Sequence, residues 1–318
     1  SILQKLKMPP IFGNNVLLGA LFKTLSLSLA SLEKVLEKGF GAKAELLKKA
    51  AQEGYQALAK KTELFSTLKK PKYFLSGSQA VASGAIAAGL DVYLAYQMTP
   101  ATAVLHLLAA QQEKEKIAVF QLENEITVIN AALGASYTGA MTMVGTSGGG
   151  FALMSEAMSL SGMAEIPLVV YLAQRTAPAT GVPTYTSQGD LKFAVNVGHG
   201  EFPRIVVAPG DSQEAISRTM EALYLASKYQ TLTILLSDKH LAESGFSFDQ
   251  LEKPRVEPSR AIVSNPKTDY KRYLLTENGI SPRAVPGQGH FVRATSYEHD
   301  EFGYTIEDAV GTKKMNDK

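Results

Sequence analysis

From Tyr73 to Ser237, short apolar runs alternate with longer helical stretches, and this alternation limits the possible folds more than any other feature. The clearest run is Leu168-Val169-Val170-Tyr171-Leu172-Ala173. A strand that is apolar on both faces belongs inside a parallel sheet covered by helices. Strands are expected near 73–76, 92–95, 117–121, 141–145, 167–173, 204–208 and 231–237. Helices are expected near 79–89, 100–112, 124–138, 151–163 and 212–228. The pattern predicts an α/β fold: a doubly wound, mostly parallel sheet with helices on both faces and right-handed crossovers. Thr99-Pro100 reads as a capping hydroxyl before a proline at the first helical position. Asp211 or Ser212 reads as the cap of the helix after 204–208.

The flanks differ from this middle. Leu17, Leu18, Leu21, Phe22 and Leu25 recur at helical spacing, as do Leu32, Val35, Leu36 and Phe40. A third helix runs through Leu46, Leu47, Ala50, Ala51 and Tyr55, and 62–72 reads as a linker. Beyond 246 the periodicity fades, and Pro254, Pro258, Pro266, Pro282 and Pro286 break the chain into an irregular arm. Such a length without regular structure packs on another body or carries function. The expected division is a helical segment plus linker at 1–70, an α/β domain at 71–245 and an extended C-terminal arm at 246–318.

Composition removes several classes of function. Among the 318 residues, 45% are hydrophobic and 19% charged, which suits a globular core. Residues 1–70 hold 12 basic and 5 acidic side chains, within a whole-chain net charge of +2. No nucleic-acid motif accompanies that lysine-rich segment, so it reads as solvated helix faces. There is no cysteine. That excludes disulfides, thiol nucleophiles and cysteine-held iron–sulfur clusters from these residues. No run reaches the roughly 18 apolar residues of a membrane span. The start Ser-Ile-Leu-Gln-Lys has neither a Met nor a signal-peptide pattern, so a cytoplasmic setting and an internal piece of a longer chain are expected.

In a parallel sheet, loops that follow successive strands gather on one edge, where open α/β sheets bind ligands. Four such loops carry chemistry: Tyr96-Gln97-Met98-Thr99-Pro100, Glu123-Asn124-Glu125, Gly145-Thr146-Ser147-Gly148-Gly149-Gly150, and Gln174-Arg175 with the hydroxyl- and proline-rich stretch to Thr184. A hydroxyl, carboxylates, a glycine-rich backbone and a cation suit an organic cofactor with a small acidic substrate. Each has a plainer reading: Thr99 as a cap, Glu125 as a complement to a helix dipole, the glycines as a tight turn, Arg175 as an ion-pair partner. The glycines are not a Walker loop, and Gly77-Ser78-Gln79-Ala80 is not a dinucleotide fingerprint. Gly145-Thr146-Ser147-Gly148-Gly149 fits a nucleophile elbow formally, without a convincing Asp and His to follow. The five histidines form no metal constellation; His106 reads as packed in its helix and His299 as part of a solvated acidic turn.

The ordered motifs are more specific than any one residue. Tyr96-x-x-Thr99-Pro100, Gln121-x-Glu123-x-Glu125, Gly134-Ala135-Ser136-Tyr137-x-Gly139, Thr146-Ser147-Gly148-x-Gly150-Phe151, Gln174-Arg175 with Pro178-x-Thr180-Gly181-x-Pro183-Thr184, Gln188-Gly189-Asp190-Leu191 and Gly198-His199-Gly200-Glu201-Phe202-Pro203-Arg204 occur in sequence. From about 73 to 318 the chain resembles the α subunit of 2-oxoacid:ferredoxin oxidoreductases. Residues 1–65 resemble the end of that family's γ domain. The resemblance implies that 71–245 is the pyrimidine-binding half of a thiamine diphosphate site. Glu125 would hydrogen-bond the aminopyrimidine ring, Arg175 the carboxylate of a 2-oxoacid such as pyruvate or 2-oxoglutarate, and Thr99 the vicinity of the reacting centre. It further implies oxidative decarboxylation to an acyl-coenzyme A, with electrons passing to ferredoxin.

The family's diphosphate-binding Gly-Asp-Gly motif is absent, and Gly189-Asp190-Leu191 does not replace it. A β partner would therefore hold the diphosphate, Mg2+ and an iron–sulfur cluster. Gln97 and Met98 stand where the family usually has Pro and Ile. Two other readings stay open: a non-catalytic assembly subunit of the same fold, and a nucleotide-binding module.

Overall fold

The computed structural model describes residues 2–58, 72–251, 256–266 and 269–318. Two compact units divide the chain, 1–70 and 71–318. All of the expected linker except Lys72 lies outside the described residues.

The first unit is helical, with α1 (Ile2–Leu6), α2 (Gly13–Thr24), α3 (Leu29–Phe40) and α4 (Ala44–Gln56). Its small core joins Leu32, Leu36 and Ala51 to Leu18, Phe22, Leu29 and Leu47. Helices α2 and α4 cross at backbone contact. A β-carbon on Gly19 would collide with the Ala51 carbonyl, and one on Gly54 with the Val16 carbonyl. Each helix thus supplies one residue without a side chain to the crossing.

The second unit is built on six parallel strands in the order β3-β2-β4-β5-β7-β6. They are β2 (Val92–Ala95), β3 (Ala118–Gln121), β4 (Thr142–Thr146), β5 (Leu168–Gln174), β6 (Arg204–Val207) and β7 (Leu232–Asp238). The first predicted strand, β1 (Tyr73–Ser76), is not part of this sheet. It pairs antiparallel with β8 (Gly245–Phe248), which the fading periodicity had concealed. All seven residues of β5 are buried, as its apolar run requires.

Alternate strand residues feed two cores, because successive side chains point to opposite faces. On one face Tyr93, Met143, Val169, Tyr171 and Leu235 pack against α5 (Gly77–Ala87), α6 (Thr102–Ala109) and α12 (Ser212–Tyr229). On the other, Leu94, Val144, Val170, Leu172 and Ile234 meet α8 (Glu125–Tyr137), α9 (Gly148–Leu153), α10 (Ser155–Met163) and α11 (Leu191–Asn196). Short α7 (Gln112–Glu115), α13 (Lys239–Glu243) and α14 (Ala309–Asn316) complete the helices. The expected helix at 151–163 is two pieces, α9 and α10, which meet at Met154.

Caps explain several helix starts. Ser76 and Gln79 form a capping box on α5. Asp211, not Ser212, caps α12, accepting from Glu214 N at 2.8 Å. Thr99 caps nothing: α6 starts at Thr102, and the chain turns through a cis Thr99–Pro100 bond before helical geometry begins. The segment after β8 is mostly irregular, but it belongs to the same unit and buries Arg272, Tyr273 and Arg283.

Replacing Gly54 by Ala should separate α2 from α4 and cost about 1–3 kcal/mol. Denaturant unfolding and amide exchange across 13–56 would measure this; unchanged protection would show that the crossing tolerates a side chain.

A polar rim at the carboxyl ends of the strands

The parallel pairings bring the carboxyl ends of β3, β2, β4 and β5 to one edge in that spatial order. The Thr99 loop follows β2, Glu125 follows β3, the glycine turn follows β4 and Arg175 follows β5. A hydrogen bond from Gln121 Nε2 to Gln97 Oε1, at 2.6 Å, joins the first two loops.

Glu125 is the first residue of α8. Asn124 caps that helix, accepting from Thr127 N at 2.9 Å. Exposed Glu123 accepts from the Thr127 hydroxyl at 2.5 Å, which holds its carboxyl below the usual range. Glu125 itself is only 3% exposed. Its carboxylate rests on the backbone of Gly150, where an added β-carbon would fall 2.6 Å from Oε1 and collide with the Thr146 hydroxyl. Oε1 has no hydrogen-bond partner, and neither does the fully buried hydroxyl of Ser147, on the same turn as Gly150. Buried polar atoms are nearly always paired, and leaving one unpaired costs about 1–3 kcal/mol. A carboxylate serving only the helix dipole has no need of this burial. An orphaned acceptor above a glycine fits a flat ligand with a hydrogen-bond donor, and the aminopyrimidine of thiamine diphosphate is such a group.

Arg175 leaves the end of β5 half-buried. Its Nη1 donates to the Thr99 carbonyl at 2.7 Å and its Nη2 to the Thr180 carbonyl at 3.2 Å. It forms no ion pair among the described residues, so the plain ion-pair reading fails. Burial lowers the pKa of its guanidinium from the ordinary value. The Thr99 side chain is exposed, and the loop contributes its carbonyl to Arg175. Loop 175–189 closes on itself: Thr176 N donates to Tyr185 O at 3.1 Å and Val182 N to Thr176 O at 3.2 Å. The structure therefore joins Thr99 directly to Arg175, and sets Glu125 on the same edge at the end of β3, the strand next to β2, which leads to Thr99.

Three residues were given no role by the sequence. Gln174, buried at the end of an apolar strand, donates to Ser237 O at 3.2 Å and accepts from Asp190 N at 2.9 Å. Asp190 precedes α11 without capping it. Its carboxylate instead overlies Gly148, within 2.8 Å of a β-carbon built there, and burial raises its pKa. Asp238 caps α13 and accepts from Gln188 Nε2 at 2.6 Å. For Gln174 and Asp238 the available signal was a polar residue ending a buried strand.

Two histidine readings are corrected. His106 is exposed on α6. His299 is buried, its ring 3.8 Å from that of Tyr273, because the irregular segment folds back over it. Among the described residues no group of three or more His, Cys, Asp or Glu is placed to hold a metal. No helix there is long and apolar enough to cross a membrane.

Residues 83–317 match the family model described as pyruvate flavodoxin/ferredoxin oxidoreductase, thiamine diphosphate-binding. The chain is 42% identical over 263 residues to the 2-oxoacid:ferredoxin oxidoreductase subunit alpha of Saccharolobus solfataricus, covering 78% of this chain and 42% of that protein. It is 37% identical to subunit alpha of 2-oxoacid:ferredoxin oxidoreductase 1 from Sulfurisphaera tokodaii, over 93% of this chain and 50% of the relative. The chain thus spans about half the length of these curated relatives. A solved 2-oxoglutarate:ferredoxin oxidoreductase from Magnetococcus marinus, with 2-oxoglutarate, coenzyme A and succinyl-CoA bound, superposes with a TM-score of 0.88 at 36% identity. That match covers 99% of this chain and 57% of the neighbour. With residues 83–317 matched to the family model and relatives 37–42% identical over most of this chain, the chain belongs to the thiamine diphosphate-binding family of pyruvate flavodoxin/ferredoxin oxidoreductases, on the α-subunit side.

Proposed function

We propose that this chain is the pyrimidine-binding part of a 2-oxoacid:ferredoxin oxidoreductase that converts a 2-oxoacid and coenzyme A to an acyl-coenzyme A and carbon dioxide. Ferredoxin takes the electrons. The observation that carries the reading is the buried, unpartnered Oε1 of Glu125 against Gly150, on the edge where Arg175 is held by the Thr99 carbonyl. Bound thiamine diphosphate supplies the electron sink that decarboxylation of a 2-oxoacid requires.

The residues of this chain bind and orient. Glu125 holds a hydrogen bond to the cofactor ring, and Gly150 leaves room for that carboxylate. Arg175 presents its remaining N–H groups to the substrate carboxylate, which a planar guanidinium matches in two places. Its bonds to Thr99 O and Thr180 O fix the fork before substrate arrives, so less ordering accompanies binding. Thr99 offers an exposed side chain from the same loop whose carbonyl holds that fork. Residues 1–70 form the end of a γ-type domain, and 246–318 an arm that extends the α/β domain. A β partner holds the diphosphate, Mg2+ and an iron–sulfur cluster, in keeping with the absence of cysteine from these 318 residues. The setting is cytoplasmic.

In the enzyme assembled with its partner, Glu125→Gln should lower turnover about 100-fold or more, with assembly retained. Full turnover in that variant would remove the role given to the carboxylate. Arg175→Ala should lower kcat/KM for the 2-oxoacid about 30-fold or more, mainly through KM, and Arg175→Lys should recover part of it. Equal kcat/KM in all three proteins would place substrate binding elsewhere and favour an assembly role.

A further inference from the structure

The glycine turn after β4 holds a hydroxyl to which the proposed function gives no part. Thr146 is the last residue of β4 and is fully buried. A β-carbon built on Gly150 would fall 2.6 Å from Glu125 Oε1 and closer still to Thr146 Oγ1. The two oxygens therefore share the space that the missing side chain leaves. Among the described residues the Thr146 hydroxyl donates only to the carbonyl of its neighbour Ser147, at 3.4 Å. That is beyond the usual range of an O–H···O bond. Other buried hydroxyls of this unit are well bonded: Thr219 donates to Ala215 O at 2.6 Å and Ser161 to Ile166 O at 2.7 Å. Glu125 Oε1 has no donor at all. A buried donor with a poor acceptor thus lies beside a buried acceptor with no donor, and both conditions are costly.

We propose that Thr146 is a positioning residue for Glu125. When the ligand settles the carboxylate, the Thr146 hydroxyl donates to it in place of the long bond to Ser147 O. A carboxylate has about four acceptor sites, so a bond to the hydroxyl and a bond to the cofactor ring do not compete. Hydroxyl-to-carboxylate bonds are charge-assisted and among the stronger ones. Such a bond fixes the side chain, so less freedom is lost when the cofactor binds. Gly150 is what lets the two oxygens approach, because any side chain there would stand between them. The inference rests on the reading that Glu125 meets the cofactor.

The test uses the enzyme assembled with its partner and freed of thiamine diphosphate. Thr146→Val keeps the shape and removes the hydroxyl; Thr146→Ser keeps the hydroxyl. Calorimetric titration with thiamine diphosphate and Mg2+ should give a Kd about 10-fold or more weaker for Thr146→Val, and within about 3-fold of the unaltered enzyme for Thr146→Ser. Without cofactor, Thr146→Val should melt within about 2 °C of the unaltered enzyme, because it loses only a 3.4 Å bond. Glu125→Ala should itself weaken binding, and adding Thr146→Val should weaken it no more than about 2-fold further, since the hydroxyl acts through the carboxylate. If Thr146→Val does not fold, Thr146→Ala is titrated in its place against the same outcomes. Unchanged affinity in Thr146→Val, an equal loss in Thr146→Ser, or a double variant whose loss multiplies the two single losses overturns the inference and leaves the role of Glu125 standing. Unchanged affinity in Glu125→Ala overturns both.

Discussion

Parallel pairing of strands buried on both faces is the constraint from which the rest follows. The central strand β5 has neighbours on each side and helices above and below, so every one of its seven residues is buried. Burying each large side chain contributes roughly 1.5–3 kcal/mol, and a one-residue slip would send alternate residues into the wrong core. Because the strands share one direction, their carboxyl ends share one edge. Thr99, Glu125, Gly150 and Arg175 are far apart in sequence and together in space for that reason alone.

The rim uses polar groups in two ways. Gln174 and Asp238 are buried and satisfied, and they lash the loop of residues 186–190 to the ends of β5 and β7. Glu125 Oε1 and Ser147 Oγ are buried and unsatisfied. The first pair makes the edge rigid. The second leaves bonding capacity where a ligand can use it, at a cost in stability that the doubly covered sheet absorbs. Arg175 stands between these cases, with two donors fixed on backbone carbonyls and others free for an anion.

Much of this was legible. The strand positions follow from apolar runs such as 168–173, and a cap at Asp211 or Ser212 follows from side chains that hydrogen-bond nearby backbone, the structure choosing Asp211. Local chemistry of this kind needs no tertiary information. The misreadings share the opposite property. Thr99 looked like a cap because only its neighbour Pro100 was considered, yet its carbonyl serves an arginine 76 residues away. β1 looked like a sheet strand because pairing partners cannot be read from periodicity; its partner, β8, lies 169 or more residues further on. His299 looked solvated among acidic residues, but a segment without periodicity covers it.

By itself the sequence determined the α/β class, the direction of the strands and the loops that meet at one edge, because hydrophobic periodicity and helix punctuation are local and strong. Only the tertiary structure decided that Glu125 is buried with an unpaired oxygen and that Arg175 is held by the Thr99 carbonyl. Burial and hydrogen-bond satisfaction depend on which distant groups arrive at the same point, and a linear pattern carries no record of that.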